Sequence, residues 1–460
     1  MPKAQSWFRA ALVLTAGACL STPAILWCAG YFAAAANWQR DLPPTPQQSA
    51  QRWARTIIHM HSVYSHDACD WHPIENGRVN EQCLANLRNA LCRNHVDVLF
   101  LTEHREYLAG TEFNAVLNPR ADDTLIWKDG SVIGSIQHCP DGHRVHLFPG
   151  EEDYTMSLAL MRHPDERIYD GRKPSRLAAL RAAGGLIGVP HVEHPLKSVM
   201  QIRAMRPDLM EIYNLHANLT ATTRRRSTWL VGRRFLRLLQ FLPKWYLDPD
   251  LLFLTFFSED EVALTKWGQI VRTTPVTGIV GTDAHENTFS WEMGDGERMD
   301  GYRRAMRWFS NFVLVDELSR DAIVSALKSG KVFMVFEVFG TPSEFAFSAV
   351  LGGSEHGMGD ELEVNKDAPV TLSVKRPRIR NLDPTGPQPD MVLRILRATS
   401  GGWEEVQKTT GSTLDYRAEQ PGAYRAEVRI KPNHLAPFLP GAKKLIGYRP
   451  WIYSNPIYLR

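Results

Sequence analysis

Only 6 of the 460 residues are cysteine, and no two of them form a Cys-x-x-Cys pair, so the sequence offers neither a zinc ribbon nor a thioredoxin-like redox centre. A Gly-x-Ser-x-Gly elbow is missing, which removes serine-hydrolase chemistry, and there is no P-loop or dinucleotide fingerprint. An excess of one charge is missing too. Lys and Arg number 53 against 50 Asp and Glu, and the resulting +3 is too balanced for a nucleic-acid surface, so no nucleic-acid partner is expected. No repeat of solenoid or propeller period is found. With 44% hydrophobic and 22% charged residues, 32 Gly and 29 Pro, the chain is neither disordered nor collagen-like, and its length suits two or three domains.

Charge is also absent locally. From Ala10 to Trp38 there is no charged residue, a run longer than the ~20 residues a spanning helix needs and than the ~7 to 15 of a signal-peptide core. An uncleaved anchor over residues 1–40 is expected, with a signal peptide as the alternative, and Lys3 and Arg9 place the N-terminus inside and the body on the exported side. Residues 41–55 read as a linker. Cys19 and Cys28 fall in the apolar run, which leaves Cys69, Cys83, Cys92 and Cys139 for an oxidising compartment, where one disulfide of undetermined connectivity is expected.

From Thr56 to about Phe339, short apolar runs alternate with amphipathic ones, the pattern of an α/β barrel or doubly wound sheet over residues 56–340. Strands are expected at Thr56 to Met60, Val96 to Thr102, Val145 to Pro149, Gly185 to Val189, Leu209 to Tyr213, Val276 to Gly281 and Val332 to Phe336. Within this body, residues 224–257 form an insertion whose arginines interleave with Trp229, Phe235 and Phe241, a basic amphipathic helix that suits a bilayer surface or a packed cover. Over residues 341–460 the helical period gives way to alternation between Gly and Pro turns, which reads as a β-sandwich-like domain.

What the chain does have is histidine, 16 in all, and seven of them lie at strand ends. His59 and His61 stand at i and i+2, one face of a strand, and are followed by Ser62, Ser65, His66 and Asp67. Glu103 and His104 close the second strand, with Glu103 placed to orient a ligand. Glu151, Glu152 and Asp153 follow the third, His191, Glu193 and His194 another, and Asp283 and His285 the last. His, Asp and Glu without Cys describe a site for two or three divalent ions such as zinc, manganese or iron. His72, His95, His138, His143, His216, His356 and His434 belong to no motif.

These motifs resemble the PHP superfamily, the polymerase and histidinol phosphatase metallohydrolases: His59-Met60-His61 running to Ser65, Thr102-Glu103-His104, Gly150-Glu151-Glu152, His194-Pro195 and Thr282-Asp283-Ala284-His285. Gly359-Asp360-Glu361 and Ser454-Asn455-Pro456 resemble its carbaryl-hydrolase-type branch, whose barrel carries a C-terminal β domain. The resemblance implies a distorted (β/α)7 barrel with metal ligation by His59, His61, His104, Glu152, Asp283 and His285, plus one ligand from His66 or Asp67, His66 leading, and one from His191 or His194. A third-metal histidine is not evident, with His146 and His163 as stand-ins. Catalytic roles are expected for Asp283, His285 and His194, and Arg105 is placed to meet a phosphate. The implied activity is hydrolysis of phosphoesters by metal-activated water on a small-molecule or lipid-like ester, with carbamates or other esters nearby and a non-catalytic metal-bearing envelope protein as the alternative.

Overall fold

The computed structural model describes residues 38–45, 51–218, 248–293, 295–364, 369–439 and 443–460. Most of the expected anchor, part of the linker and the basic segment Arg224 to Phe241 lie outside the described residues. Among the described residues no helix is long and apolar enough to cross a membrane.

The fold is mixed α/β. Its first half comprises β1 (Arg52–Met60), α1 (Glu81–Arg93), β2 (Val98–Leu101), β3 (Glu103–His104), β4 (Thr124–Lys128), β5 (Ser131–His138), β6 (Arg144–Phe148), β7 (Glu151–Glu152) and β8 (Met156–Leu158). There follow α2 (Pro174–Ala182), β9 (Leu186–Val189), α3 (Val199–Met205), β10 (Leu209–Asn214), α4 (Glu261–Val271), β11 (Thr277–Gly281), α5 (Tyr302–Trp308), β12 (Ser310–Val315), α6 (Arg320–Lys328) and β13 (Val332–Val335). Each expected strand occurs, shifted by a few residues at its ends. The helices start where their sequence says they should. Asn80 accepts the Cys83 amide at 3.1 Å to cap α1, Asp260 and Ser319 cap α4 and α6, and Ser198 with Gln201 forms a capping box on α3. Along α1, Leu84, Leu87 and Leu91 recur at helical spacing and are buried.

Two sheets share the strands that carry the motifs. In one, β1 lies between β12 and β2, and β2 pairs β6 in parallel. In the other, β11, β10 and β9 run parallel, β8 runs antiparallel between β9 and β7, and β7 pairs β3. Chain continuity joins them, since β3 follows β2 and β7 follows β6. A bridge between Met60 and Ala284 joins β1 to the residues after β11. The C-terminal ends of β1, β2, β9, β10 and β11 therefore meet around one point, where parallel α/β architectures place their ligands.

The expected boundary at residue 340 is not a break in the sheet. The C-terminal part holds β14 (Ala346–Leu351), β15 (Val370–Lys375), β16 (Asp390–Thr399), β17 (Gly402–Thr409), β18 (Thr413–Ala418), β19 (Gly422–Lys431), β20 (Arg449–Ser454) and β21 (Ile457–Leu459). Strand β20 pairs β13, with Met334 opposite Tyr453, and so extends the sheet that contains β1. Asn455 fixes the junction: its amide oxygen accepts Gly278 N at 2.7 Å and its amide nitrogen donates to Gly278 O at 3.0 Å and Val332 O at 2.9 Å. The alternation visible in the sequence marks strands correctly but cannot show that their edge is completed by a strand from the first part.

Two disulfides, Cys69–Cys83 and Cys92–Cys139, use all four cysteines of the body, where one was expected. The first ties the loop after Asp67 to α1. Cys69, Asp70 and Trp71 of that loop are all left-handed, with φ of 56, 57 and 68°.

Candidate metal centre

The backbone at the end of β1 is not a regular strand. Register shifts between Ile57 and Met60, and His59 sits at φ 62°. The one-face argument for His59 and His61 therefore needs correction: a bulge aims them, not simple alternation, and His61 lies just beyond the strand. Asp283 and His191 are likewise left-handed, at φ 50° and 47°. Backbone bonds lock these conformations, with Asp283 N donating to His59 O at 2.6 Å and His61 N to Ala284 O at 3.2 Å. Gly281 is required between them, because a Cβ there would collide with Glu211 Oε1 and press on His59.

Three imidazoles are set the same way. His59 Nδ1 donates to Glu211 Oε1 at 2.8 Å, His61 Nδ1 to Ser65 Oγ at 2.8 Å, and His285 Nδ1 to the Asp283 carbonyl at 3.0 Å. Ser65 Oγ in turn donates to Glu103 Oε2 at 2.7 Å, and Ser62 donates to Glu103 through both its amide and its hydroxyl. Each ring is left with a bare Nε2. All three Nε2 atoms, together with Asp67 Oδ1, are buried and have no hydrogen-bond partner.

These orphaned atoms converge. His59 Nε2 and His61 Nε2 lie 3.4 and 3.5 Å from Asp283 Oδ1, and His104 Nε2 and His285 Nε2 each lie 3.5 Å from Asp67 Oδ1. His191 Nε2 lies 3.5 Å from Asp283 Oδ2 and 3.7 Å from Glu152 Oε1, while Glu152 Oε2 is 3.3 Å from His104 Nδ1. Most of these separations are too long for hydrogen bonds of ~2.7 to 3.2 Å, and they match the ~3.4 Å between two ligands ~2.1 Å from one tetrahedral ion. Glu152 and Asp283 each direct their two oxygens at different histidines. The donor set, imidazole nitrogen and carboxylate oxygen without sulfur, fits zinc, manganese or iron.

Electrostatics reinforce the fit. Against the opposing effect of burial, Asp283 and Glu211 raise His59 to about 9, and Asp67 and Glu152 raise His104 to about 11. Burial and the His285 ring, stacked at 3.9 Å, push His61 well below its ordinary value. Asp283, despite burial, is held well below the usual carboxylate range by His59 and His216. The buried carboxylates thus demand positive charge, which His59 and His104 supply as imidazolium in the absence of a metal, while burial opposes it at the stacked His61 and His285.

The expected residues separate on this geometry. His59, His61, His104, Glu152, Asp283 and His285 come together, with Asp67 and His191. His66, which led over Asp67 by spacing, is 43% exposed and 3.6 Å from Glu106, and it offers a ligand atom to one group with Asp67 and His104 at the outer edge of the cluster. His194 lies on an exposed turn, its Nδ1 accepting Leu196 N at 3.2 Å, so it lines the mouth while His191 enters the cluster. Arg105 is tied to Asp153 at 2.9 Å and does not line the cavity. His163 is bonded to Tyr169 and Thr111, and His146 is buried on β6, so neither joins the cluster.

Sequence reasoning missed Glu211, which holds His59 and accepts the His191 amide at 2.7 Å, and His216, set aside as motif-free, whose Nδ1 lies 3.4 Å from Asp283 Oδ2. A glutamate inside the apolar run Leu209–Asn214 was the available signal, because a buried carboxylate needs partners. His216 follows the end of β10, the same position that made the other histidines conspicuous. Asp67, His104, Glu152, His191, Asp283 and His285 form the floor of a cavity of about 560 Å³, whose walls include Tyr154, Arg172 and Lys197.

No family model and no curated protein matches this chain. Among solved structures it is similar to a two-domain protein from Bacteroides vulgatus containing a predicted PHP-like metal-dependent phosphoesterase, with 13% identity, 92% of this chain and 100% of that chain covered, and a TM-score of 0.33. At that TM-score the likeness decides nothing about this chain.

Proposed function

We propose that this protein is a metal-dependent hydrolase of the PHP type that cleaves phosphoester bonds in a small-molecule or lipid-like ester, with related esters and carbamates as the neighbouring substrate class. The observation that carries the reading is the convergence of four buried, partnerless ligand atoms, His59 Nε2, His61 Nε2, His285 Nε2 and Asp67 Oδ1, in a cluster of which Asp67, Asp283 and His285 line an open cavity. His59, His61, Asp67, His104, Glu152, His191, Asp283 and His285 would hold two or three divalent ions. Such ions supply Lewis acidity and lower the pKa of a water to about 7, near ambient pH. The chain's own contribution is to fix the ligand tautomers through Glu211, Ser65 and Glu103, to keep His216 against Asp283 at the mouth, and to seal the floor with buried strands.

The parallel pairs β1–β2, β2–β6, β9–β10 and β10–β11, with the Met60–Ala284 bridge between β1 and the residues after β11, support a distorted seven-stranded barrel. The Asn455 junction supports the carbaryl-hydrolase-type branch, with residues 341–460 as its β domain. The uncharged run from Ala10 to Trp38 and the two disulfides support an exported, membrane-anchored body. The deciding measurement is metal content by mass spectrometry together with turnover of phosphomonoester and phosphodiester probes. Two or three equivalents and turnover, both removed by Asp283→Ala, are expected. A metal-replete protein inert over a broad ester panel would replace catalysis with a binding role, and absence of bound metal would overturn the reading entirely.

A further inference from the structure

One wall of the cavity carries a cation that the protein itself does not neutralise at close range. Lys197 is 94% buried (relative exposure 6%) and lines the cavity. Its ammonium donates to Pro190 O at 2.7 Å, which uses one of its three N–H groups. Among the described residues no carboxylate lies within 4.0 Å of it. Glu152, Glu211, Glu193 and Asp153 act on it only from farther away; a buried ammonium without a close counter-charge is unfavourable, and divalent ions beside it would make it more so, unless an anion lies between them. The loop that presents Lys197 is fixed, because Lys266 Nζ donates to the carbonyls of Val192, His194 and Lys197 at 2.7, 3.1 and 2.8 Å.

A second cation shares the same aromatic ring. Lys197 Nζ is 5.3 Å and the Arg172 guanidinium 5.5 Å from the centroid of Tyr154, and all three residues line the cavity. The carboxylate nearest to Arg172, Asp153 at 3.8 Å, is already held by Arg105 at 2.9 Å. Asp170 lies at 4.0 Å, and neither carboxylate reaches hydrogen-bond distance of the guanidinium; Arg172 is 56% exposed, so its fork can receive a planar anion at the mouth in bidentate fashion.

We propose that Lys197 and Arg172, flanking Tyr154, form an anion subsite beside the metal cluster, and that the substrate is a phosphate ester whose leaving group carries a second anionic group. Lys197 takes a phosphoryl oxygen on the buried side, and Arg172 takes the second anion at the mouth. Both cations lie over the ring of Tyr154, which gathers them on one wall of the cavity. The proposal rests on the hydrolase reading for its activity arm, and on phosphate affinity alone for its binding arm.

The test uses the full chain loaded with zinc or manganese and the matched pair phenyl phosphate and 4-carboxyphenyl phosphate, with inorganic phosphate binding followed by calorimetry. Wild type is expected to favour the carboxylated ester in kcat/KM by about tenfold, and Arg172→Ala to abolish that preference mainly through KM. Lys197→Met is expected to weaken inorganic phosphate by at least about tenfold and to lower kcat/KM for both esters about a hundredfold, at unchanged metal content and melting temperature, with partial recovery in Lys197→Arg. Because Lys197→Met can disturb the loop through the lost Pro190 bond, Arg172→Ala, at an exposed site, is the independent check. Equal kcat/KM for the two esters in wild type, or unchanged phosphate affinity in Lys197→Met, overturns the proposal. If the metal-loaded protein cleaves neither ester but loses phosphate affinity in Lys197→Met, the subsite stands and the hydrolase reading falls.

Discussion

Glu211 offers the sharpest test of how the metal centre is built, because it touches the cluster only through other residues. Its carboxylate accepts His59 Nδ1 at 2.8 Å, the His191 amide at 2.7 Å and Asn214 Nδ2 at 3.1 Å, and it is 2% exposed. The charge holds the proton on Nδ1 of His59 and so keeps Nε2 bare toward Asp283. Glu211→Gln preserves shape and one acceptor but removes the charge. Partners of this kind change metal affinity by about 10- to 100-fold, or about 1.4 to 2.7 kcal/mol. Gly281→Ala reaches the same point from the other side, since its methyl would displace the Glu211 carboxylate and press on His59. Both variants are expected to lose affinity in a competition titration against a fluorescent chelator. In the double variant the losses are expected to be less than additive, because one displaced carboxylate is removed twice. Affinity within twofold of wild type in Glu211→Gln, while Asp283→Asn loses the metal, would show that His59 is positioned without Glu211 and refute the reasoning.

The remaining expectations concern other parts of the chain. Asp67→Ala is expected to lose one equivalent of metal and His66→Ala to keep full stoichiometry, and the pair His191→Ala and His194→Ala is expected to divide in the same way; elemental analysis after dialysis decides both. Replacing Cys69 and Cys83 by Ser opens a loop of sequence separation 14, which corresponds to about 3 kcal/mol in the chain-entropy account, read as a lower denaturation midpoint under conditions where wild type keeps its disulfides. His434, buried with Nε2 on Phe339 O at 3.0 Å, is lowered by burial from 6.5 to about 4. Its contribution is therefore fully present above pH 6.5 and lost as pH falls toward 4, about 3 kcal/mol over that window, and His434→Leu should flatten the acid limb of the stability curve.

The sequence made the strand-end motifs visible because a metal centre at the end of a buried strand forces polar residues into an otherwise apolar text: after Thr56 to Met60, after Val98 to Leu101, and after Thr277 to Gly281. Spacing alone could not choose between His66 and Asp67, or between His191 and His194. The second choice depends on a left-handed residue, His191, and φ is not written in residue identity unless glycine stands there. Glu211 was hidden because its role is to hold histidines that already looked complete. Lys197 and Arg172 were hidden because their common feature is the ring of Tyr154, a neighbour in space and not in sequence. The C-terminal strands were legible as strands, while their attachment to β13 through β20 depends on long-range pairing that alternation does not encode.

The conformational strain at the centre bears on what it is for. His59, His191 and Asp283 all occupy the left-handed region without being glycine, a state that costs about 1 to 3 kcal/mol for each residue. The same place leaves three Nε2 atoms and one carboxylate oxygen buried without partners, and each of these forgoes a further ~1 to 3 kcal/mol. A cluster serving only to fill a core could relieve both at once: rotation of one imidazole would bring its Nε2 onto Asp67 or Asp283 at hydrogen-bond distance. Instead Nδ1 of His59, of His61 and of His285 is held by a separate acceptor, and a glycine at 281 reserves the space for one of those acceptors. Strained backbone, withheld hydrogen bonds and fixed tautomers are separate costs aimed at one point. A multivalent cation is the occupant that offsets all of them together, and this is why the arrangement reads as a metal centre and not as a polar core.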